Sequence, residues 1–139
     1  MQMKHLTVAL LLALLPLGVA QAQEETQEQD QMQEEELVEQ LEQAQGQPID
    51  TLKQAVDALE LRNDLLEVLL SKNELTEGDM AIIQQLTETM ENALTKIDEE
   101  LGIMREHVQE VRSGADAREQ ERIRENGQEY LERIKTLMQ

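Results

Sequence analysis

One long apolar stripe constrains the fold of this chain more than any other feature of its sequence. Between residues 80 and 111, apolar side chains recur every three or four residues, at a mean interval close to 3.5. The stripe consists of Met80, Ile83, Leu86, Met90, Ala93, Ile97, Leu101, Met104, Val108 and Val111. This period is typical of a helix that packs along one face, as in a coiled coil. We therefore predict a helix over residues 77–112.

Local signals indicate where this helix begins and where it ends. Thr76 followed by Asp79 is an acidic form of the capping box, and Leu75 with Met80 has the spacing of a hydrophobic staple. The segment Ser113-Gly114-Ala115 predicts the end of the helix, because glycine is the usual C-terminal cap. Gly102, within the stripe, is the one position that favours a break.

Two shorter stripes flank the long helix. The first predicts a helix over residues 50–71, with Asp50 as N-cap and Asn63 fixing the register of the buried face. Its predicted buried face contains Leu52, Val56, Leu59, Asn63, Leu66 and Leu70, and Leu65 and Leu69 widen that face. The second predicts a helix over residues 117–138 that starts after Asp116, with Glu119 at the capping-box position. Short turns join the three helices, so we predict an all-α, three-helix antiparallel bundle (up-down-up) with a long central helix.

The central helix is longer than either neighbour, so the bundle cannot cover its apolar stripe completely. All three helices are expected to overlap only around Leu52, Val56, Met90, Leu94, Ile97, Tyr130 and Ile134. A short helix predicted at residues 37–45 could cover one end of the stripe with its patch Leu37–Ala44. Alternatively, the central helix bends at Gly102, or a second copy of the chain covers the stripe.

The N-terminal residues predict export. Lys4 and His5 precede an apolar run over residues 6–15, and Ala20-Gln21-Ala22 is a small-x-small cleavage site. This pattern is typical of a secretory signal peptide at residues 1–22, with the mature chain starting at Gln23 in the periplasm or outside the cell. No membrane insertion is expected after cleavage. Residues 23–48 read as an acidic Gln/Glu-rich linker, of which residues 23–36 are expected to be disordered, and residues 49–139 form the bundle.

Charge and composition exclude several classes of protein. The chain has 30 acidic and 12 basic residues, a net charge of −18, and loses one further positive charge with Lys4 on cleavage. Such a surface repels nucleic acid, so nucleic-acid binding is not expected. The chain contains no cysteine, which excludes disulfides and attachment of a lipid to a cysteine.

Few residues offer chemistry. His107 is the one histidine after residue 22, and it could serve a haem- or metal-binding carrier together with a methionine such as Met90. Met80, Met90 and Met104 could hold Cu(I), although methionine at helical spacing usually fills a core. No nucleophile–base constellation and no phosphate-binding glycine loop occur. We therefore predict a non-enzyme without a cofactor.

The incompletely covered stripe points instead to binding through helix faces. An uncovered apolar face is where a partner helix docks, so we expect a binding, accessory or stress-related role. The occupant would be an unknown protein partner or a second copy that forms a dimer. The candidate partner-binding residues are Met80, Ile83, Leu101, Met104, Val108 and Val111.

Several phrases of the sequence resemble one family. They are Pro48 with Thr51-Leu52 and Ala55, Asn73-Glu74-Leu75-Thr76, Asp79-Met80, the run 86–94, Lys96-Ile97, Glu100-Leu101, and Gly127 with Tyr130-Leu131. Over roughly residues 46–135 the chain resembles a family of short, exported proteobacterial helical proteins with a domain of unknown function. The resemblance implies a periplasmic address and a helical hairpin with a third helix, and it implies no activity. The family pattern has a His-aromatic pair before the Gly-x-Pro turn, where this chain has Ala44-Gln45.

Overall fold

The computed structural model describes residues 28–139, and these residues form four helices with no strand among them. Helix α1 covers residues 28–44, α2 covers Leu52–Leu70, α3 covers Glu77–Ala117 and α4 covers Gln120–Ile134. The all-helical fold class predicted from the sequence is confirmed. The predicted count of three helices is wrong, because α1 packs with them as a fourth. The signal-peptide prediction for residues 1–22 lies outside the described residues.

The long helix α3 begins as its sequence predicts. The backbone N–H of Asp79 donates to Thr76 Oγ1 at 3.1 Å, and the N–H of Thr76 donates to Asp79 Oδ2 at 2.9 Å. The capping box is therefore complete, and it satisfies two N–H groups that the first helical turn would otherwise leave unpaired. Gly102 does not break α3, which continues without interruption through it.

The predicted end of α3 near residue 112 is wrong, because the helix continues to Ala117 and spans about 61 Å at 1.5 Å per residue. Its cap is Arg118 in the left-handed conformation, with φ of 59°. Gly114 lies inside the helix and is buried against α4. A Cβ atom at this position would lie 3.1 Å from Ile123 Cγ1. Here the glycine allows α3 and α4 to approach closely. It does not act as the C-terminal cap of α3.

Helix α2 buries one side of the wide face predicted for it, the side that contains Leu65 and Leu69. Its N-cap is Thr51 rather than Asp50, in a capping box with Gln54. The fully buried positions are Leu52, Ala55, Arg62, Leu65 and Leu69. Asn63 and Leu70, both predicted on the buried face, are exposed. The leucine pairs at 65–66 and 69–70 support either face by periodicity, and packing against two neighbouring helices selects the one that contains Leu65 and Leu69.

Helix α1 covers the N-terminal half of α3, as the apolar patch at residues 37–44 predicts. Leu37 and Leu41 are buried in one cluster with Leu65 and Leu69 of α2 and Leu86 of α3. The expected disorder is wrong for residues 28–36, which are helical. Docking of the patch fixes the helix, and the ion pair between Glu34 and Lys72 at 2.9 Å holds the preceding turns. Tertiary contacts thus stabilise a helix that is too polar to form alone.

Helix α4 packs antiparallel on the C-terminal half of α3. It covers Gln120–Ile134, so its predicted bounds of 117–138 are too wide at both ends. Asp116 belongs to the last turn of α3, and Glu119 is the N-cap without a side-chain hydrogen bond. No residue of α4 is fully buried. This half of the molecule is a two-helix hairpin, whereas the other half has three helices.

Polar contacts hold the hairpin together. Arg133 Nη1 donates to Glu100 Oε2 at 2.6 Å, and Arg122 Nε donates to Glu110 Oε2 at 2.8 Å. The ring of His107 bonds through Nδ1 to Asn126 Oδ1 at 2.9 Å. Because an amide oxygen only accepts, Nδ1 carries the proton in this bond. Three bridges between the two helices compensate for the small apolar area that α4 buries.

Lys72 joins α1 to the turn between α2 and α3. Its Nζ donates to Glu34 at 2.9 Å and to Asp79 at 3.0 Å. The backbone N–H of Thr76 and the Lys72 ammonium lower the pKa of the Asp79 carboxyl below its ordinary value of 3.8. Hydrogen bonds from Lys72 to Glu34 and Asp79 raise the pKa of Lys72 above 10.5.

These shifts predict a stability plateau with a loss at each end of the pH scale. The contribution of Asp79 is fully present above pH 3.8 and is lost as the pH falls through its lower folded-state pKa. The contribution of Lys72 is fully present below pH 10.5 and is lost as the pH rises through its higher folded-state pKa.

Urea unfolding between neutral and strongly acidic pH should show that the free energy of unfolding falls less with acid in Asp79→Asn than in the wild type. Glu77→Gln removes an exposed carboxyl in the same helical turn and should leave the acid dependence of the wild type unchanged, whereas identical acid dependence in wild type and Asp79→Asn would refute the assignment.

Candidate functional site

A groove on the two-helix half of the molecule is the main candidate site. Leu101, Met104 and Val108 of α3 form one side, and Tyr130 and Ile134 of α4 form the other. The groove has a volume of about 620 Å³. Met104 is buried, whereas Leu101 and Val108 remain exposed at the opening. We call this feature the C-terminal groove. It exists because α3 has only α4 as a neighbour at this end.

The apolar side chains at the opening continue along α3 at heptad spacing. Leu94, Leu101 and Val108 lie seven residues apart and are 53%, 39% and 40% exposed. Residues seven apart lie on the same side of a helix, so these three form a line that we call the exposed stripe. Leu94 was expected to pack between three helices, and that expectation is wrong because the three-helix half does not cover it. A line of large apolar groups in water is typical of a docking surface for another helix.

Charged side chains flank the exposed stripe at the same spacing. Asp98, Arg105 and Arg112 also lie seven residues apart and border the C-terminal groove. Within residues 28–139, neither of the two arginines forms an ion pair. Residues 28–104 carry 20 acidic and four basic groups, whereas residues 105–139 carry eight acidic and seven basic groups. The exposed stripe therefore runs from a strongly acidic half into a nearly neutral half. In that second half, Arg105 and Arg112 have no ion-pair partner among residues 28–139.

The structure places the six predicted partner-binding residues at three separate locations. Leu101, Met104 and Val108 come together in the C-terminal groove. Val111 continues that side of α3 and is half-buried at α4, with its Cγ2 3.9 Å from the position of a Cβ on Gly127. Ile83 packs on the N-terminal core cluster. Met80 is exposed at the opposite end of the helix, so it belongs to no common site with the others.

The candidate haem and copper ligands do not converge. His107 and Met90 both lie on α3, 17 residues apart, which separates them by about 26 Å along the helix. Met80, Met90 and Met104 are likewise spread over more than 30 Å of one helix. In residues 28–139 no group of three or more His, Asp or Glu side chains is arranged to hold a metal ion. His107 is instead engaged with Asn126.

The most unusual side chain in the structure is Arg62, which was not among the candidate residues predicted from the sequence. It is only 4% exposed. Its Nη1 donates to the carbonyl oxygen of Ala58 in its own helix at 3.1 Å, and its buried Nε has no hydrogen-bond partner. Burial lowers the pKa of the guanidinium. The available signal was that Arg62, and not Asn63, falls on the face shared by Ala55, Leu65 and Leu69.

Comparisons with known proteins identify the family but no activity. Neither a curated protein nor a solved structure matches the chain. Among the helices in the described part of the chain, none has the apolar stretch that a membrane crossing requires. A family model, described as a family of unknown function (DUF6746), matches residues 1–139. The resemblance to a family of unknown function is thus confirmed, while export and a proteobacterial source stay predictions, and the chain belongs to this family of unknown function.

Proposed function

We propose that this protein is an exported, non-enzymatic binding protein that docks an acidic amphipathic helix on its exposed stripe. The single observation that carries the proposal is the heptad line of Leu94, Leu101 and Val108 beside Arg105 and Arg112. Export rests on the apolar run at residues 6–15 and the cleavage site that follows it. The proposed place of action is the periplasm, with the mature chain starting at Gln23.

The chemistry of the stripe favours a helix as its occupant. A partner helix with large apolar residues at the same spacing would bury the three exposed side chains and close the opening of the C-terminal groove. Acidic residues on the flanks of that helix would meet Arg105 and Arg112. The near-neutral half of the molecule also repels an acidic partner least, so approach is favoured at this end.

A second copy of the chain fits the stripe less well. Antiparallel pairing that matches Leu101 with the Val108 of a second copy brings two Arg105 side chains together near the symmetry axis. Parallel pairing in register places Asp98, Arg105 and Arg112 each opposite the same residue of the second copy. The antiparallel arrangement also sets Asp98 beside the Arg112 of the second copy, so like charges oppose it only at the central Arg105 pair. A helix with acidic flanks meets both Arg105 and Arg112 with opposite charge, so we commit to a different, acidic helix.

Two synthetic helical peptides with the same leucine heptads can test the proposed occupant. One carries glutamate at the flanking positions and the other carries lysine. The protein is expressed from its full-length sequence and purified from the periplasm. The mass of the intact protein reports whether residues 1–22 were removed before Gln23. Fluorescence anisotropy should show binding of the glutamate peptide, which weakens with salt, and roughly tenfold weaker binding of the lysine peptide.

Charge reversal then tests whether the two arginines recognise the peptide. Arg105→Glu with Arg112→Glu should reverse the preference between the two peptides. Arg124→Glu with Lys135→Glu is the matched control. It makes the same change in net charge at two exposed positions of α4 and its C-cap that do not line the C-terminal groove. Equal binding of both peptides, or equal effects of the two double variants, would contradict the proposal. A stable dimer that buries Val108, detected by light scattering and crosslinking, would instead identify a second copy as the occupant.

A further inference from the structure

The buried guanidinium of Arg62 has no counter-charge in the described structure. No carboxylate of residues 28–139 lies within ion-pair distance of it, although this part of the chain has 28 acidic residues. An uncompensated buried charge is strongly unfavourable, and a buried arginine is normally paired. The fold therefore maintains an unfavourable group in its three-helix half, at the walls of two clefts.

The hydrogen bonds of Arg62 leave one edge of its guanidinium without a partner in the described structure. Nη1 is engaged by the Ala58 carbonyl oxygen, while Nε has no partner and Nη2 makes no hydrogen bond within residues 28–139. Nε and Nη2 together form the edge that binds a carboxylate through two parallel hydrogen bonds. The geometry that the fold leaves free is thus the one suited to a planar anion with two oxygens.

Two adjoining clefts reach this side chain from outside. One is about 420 Å³ and lies between α2 and the turn after α1, and the other is about 380 Å³ and lies between that turn and α3. Both are lined by Arg62, Thr89 and the turn residues Gln47 and Ile49. Their walls also contain Gln54, Gln85 and Asn92. These side chains offer amide and hydroxyl groups to a small polar ligand.

We propose that Arg62 is the anion-binding group of a ligand site for a small organic carboxylate. Two acidic side chains also line the clefts. Asp57 is paired with Lys53 at 2.8 Å, and Glu88 is exposed at the rim of the second cleft. Because the surrounding half of the molecule is acidic, a ligand with one negative charge is favoured over a phosphate with two. This site is separate from the C-terminal groove and does not depend on the docking proposal.

Acetate, propionate and glutamate are suitable probes, with chloride at the same ionic strength as the reference. Thermal unfolding of full-length protein at neutral pH should show a saturable rise in Tm with at least one carboxylate, because a ligand that binds only the native state stabilises it. The Arg62 Nε–H signal in a spectrum of ¹⁵N-labelled protein should shift over the same concentration range. Arg62→Met should remove the rise in Tm while Arg124→Met, at an exposed arginine of α4, retains it.

Three results would overturn the proposal. One is a wild-type protein whose Tm and Nε–H signal do not respond to any of the probes across the millimolar range. Another is a carboxylate response that persists in Arg62→Met. The third is a response of equal size in Arg62→Lys, since lysine keeps the charge but lacks the two-pronged edge. Arg62→Lys also keeps the test decisive if the methionine variant fails to fold, because a folded lysine variant should bind the responding carboxylate at least tenfold more weakly.

Discussion

Replacing Leu65 by alanine is expected to lower the free energy of unfolding by about 2–5 kcal/mol, the range for leucine in a closely packed core. Leu65 has no exposed surface and lies in the cluster that joins α1, α2 and α3. The cost has two sources. The apolar transfer free energy of the side chain is lost, and three helices that are held by backbone hydrogen bonds cannot fully close the cavity. Urea unfolding monitored by circular dichroism measures this change.

Leu70→Ala is the matched control for Leu65→Ala. It removes the same atoms from the same helix five residues later, where the leucine is exposed. We expect a change below about 1 kcal/mol, as for an exposed position away from caps and networks. If the two variants lose equal stability, then the face of α2 that the structure buries is wrong.

Replacing Leu41 by aspartate is expected to detach α1 from the molecule. Leu41 is buried in the cluster with Leu65, Leu69 and Leu86. Burial of a carboxylate among these leucines has a high desolvation cost, so the helix should leave and not bury it. The loss should be at least as large as the 2–5 kcal/mol for Leu→Ala at a buried site.

Detachment of α1 has readouts beyond stability. The leucines that α1 covers become exposed, so binding of a hydrophobic dye should rise in Leu41→Asp. Hydrogen exchange should accelerate in residues 28–44 more than in α4, which has no contact with this cluster. Gln43→Asp introduces the same charge at an exposed position of α1 and should change neither property. Equal dye binding in the two variants would contradict the docking of α1.

Local signals in the sequence predicted the elements well. The box formed by Thr76 and Asp79 places the start of α3, and the heptad stripe predicts a long helix. Both depend on interactions within one turn or one face of a helix, which the identity of neighbouring residues specifies. Whether α3 breaks at Gly102 and whether the patch containing Leu37 and Leu41 covers one end of the stripe stayed open in the sequence, and the structure shows an unbroken helix and a docked patch.

The errors concern positions where two helices meet. Gly114 has the sequence signal of a helix end, but contact with Ile123 requires a residue without a side chain inside the helix. Arg62 was not predicted as a buried residue, because buried arginine is rare, yet it shares its face with Leu65 and Leu69. Both outcomes depend on a neighbour that is distant in sequence.

The candidate sites divide in the same way. The sequence predicted Leu101, Met104 and Val108 as binding residues because it showed a stripe longer than its partners could cover. It could not show that Met80 and Ile83 belong elsewhere, nor that Arg62 lies between two clefts. These facts depend on which helix covers which part of α3.

The sequence alone determined the class of the protein: all-helical, acidic, with a long helix whose apolar face exceeds the reach of its neighbours. Periodicity, caps and charge are local properties, so they can be read residue by residue. Only the tertiary structure decided which leucines of α2 are inside, where α1 packs and which part of the stripe stays open. Those choices depend on how three helices pack together. Several faces of each helix have similar apolar content, and the face whose side chains fit those of the neighbouring helices most closely is the one that becomes buried.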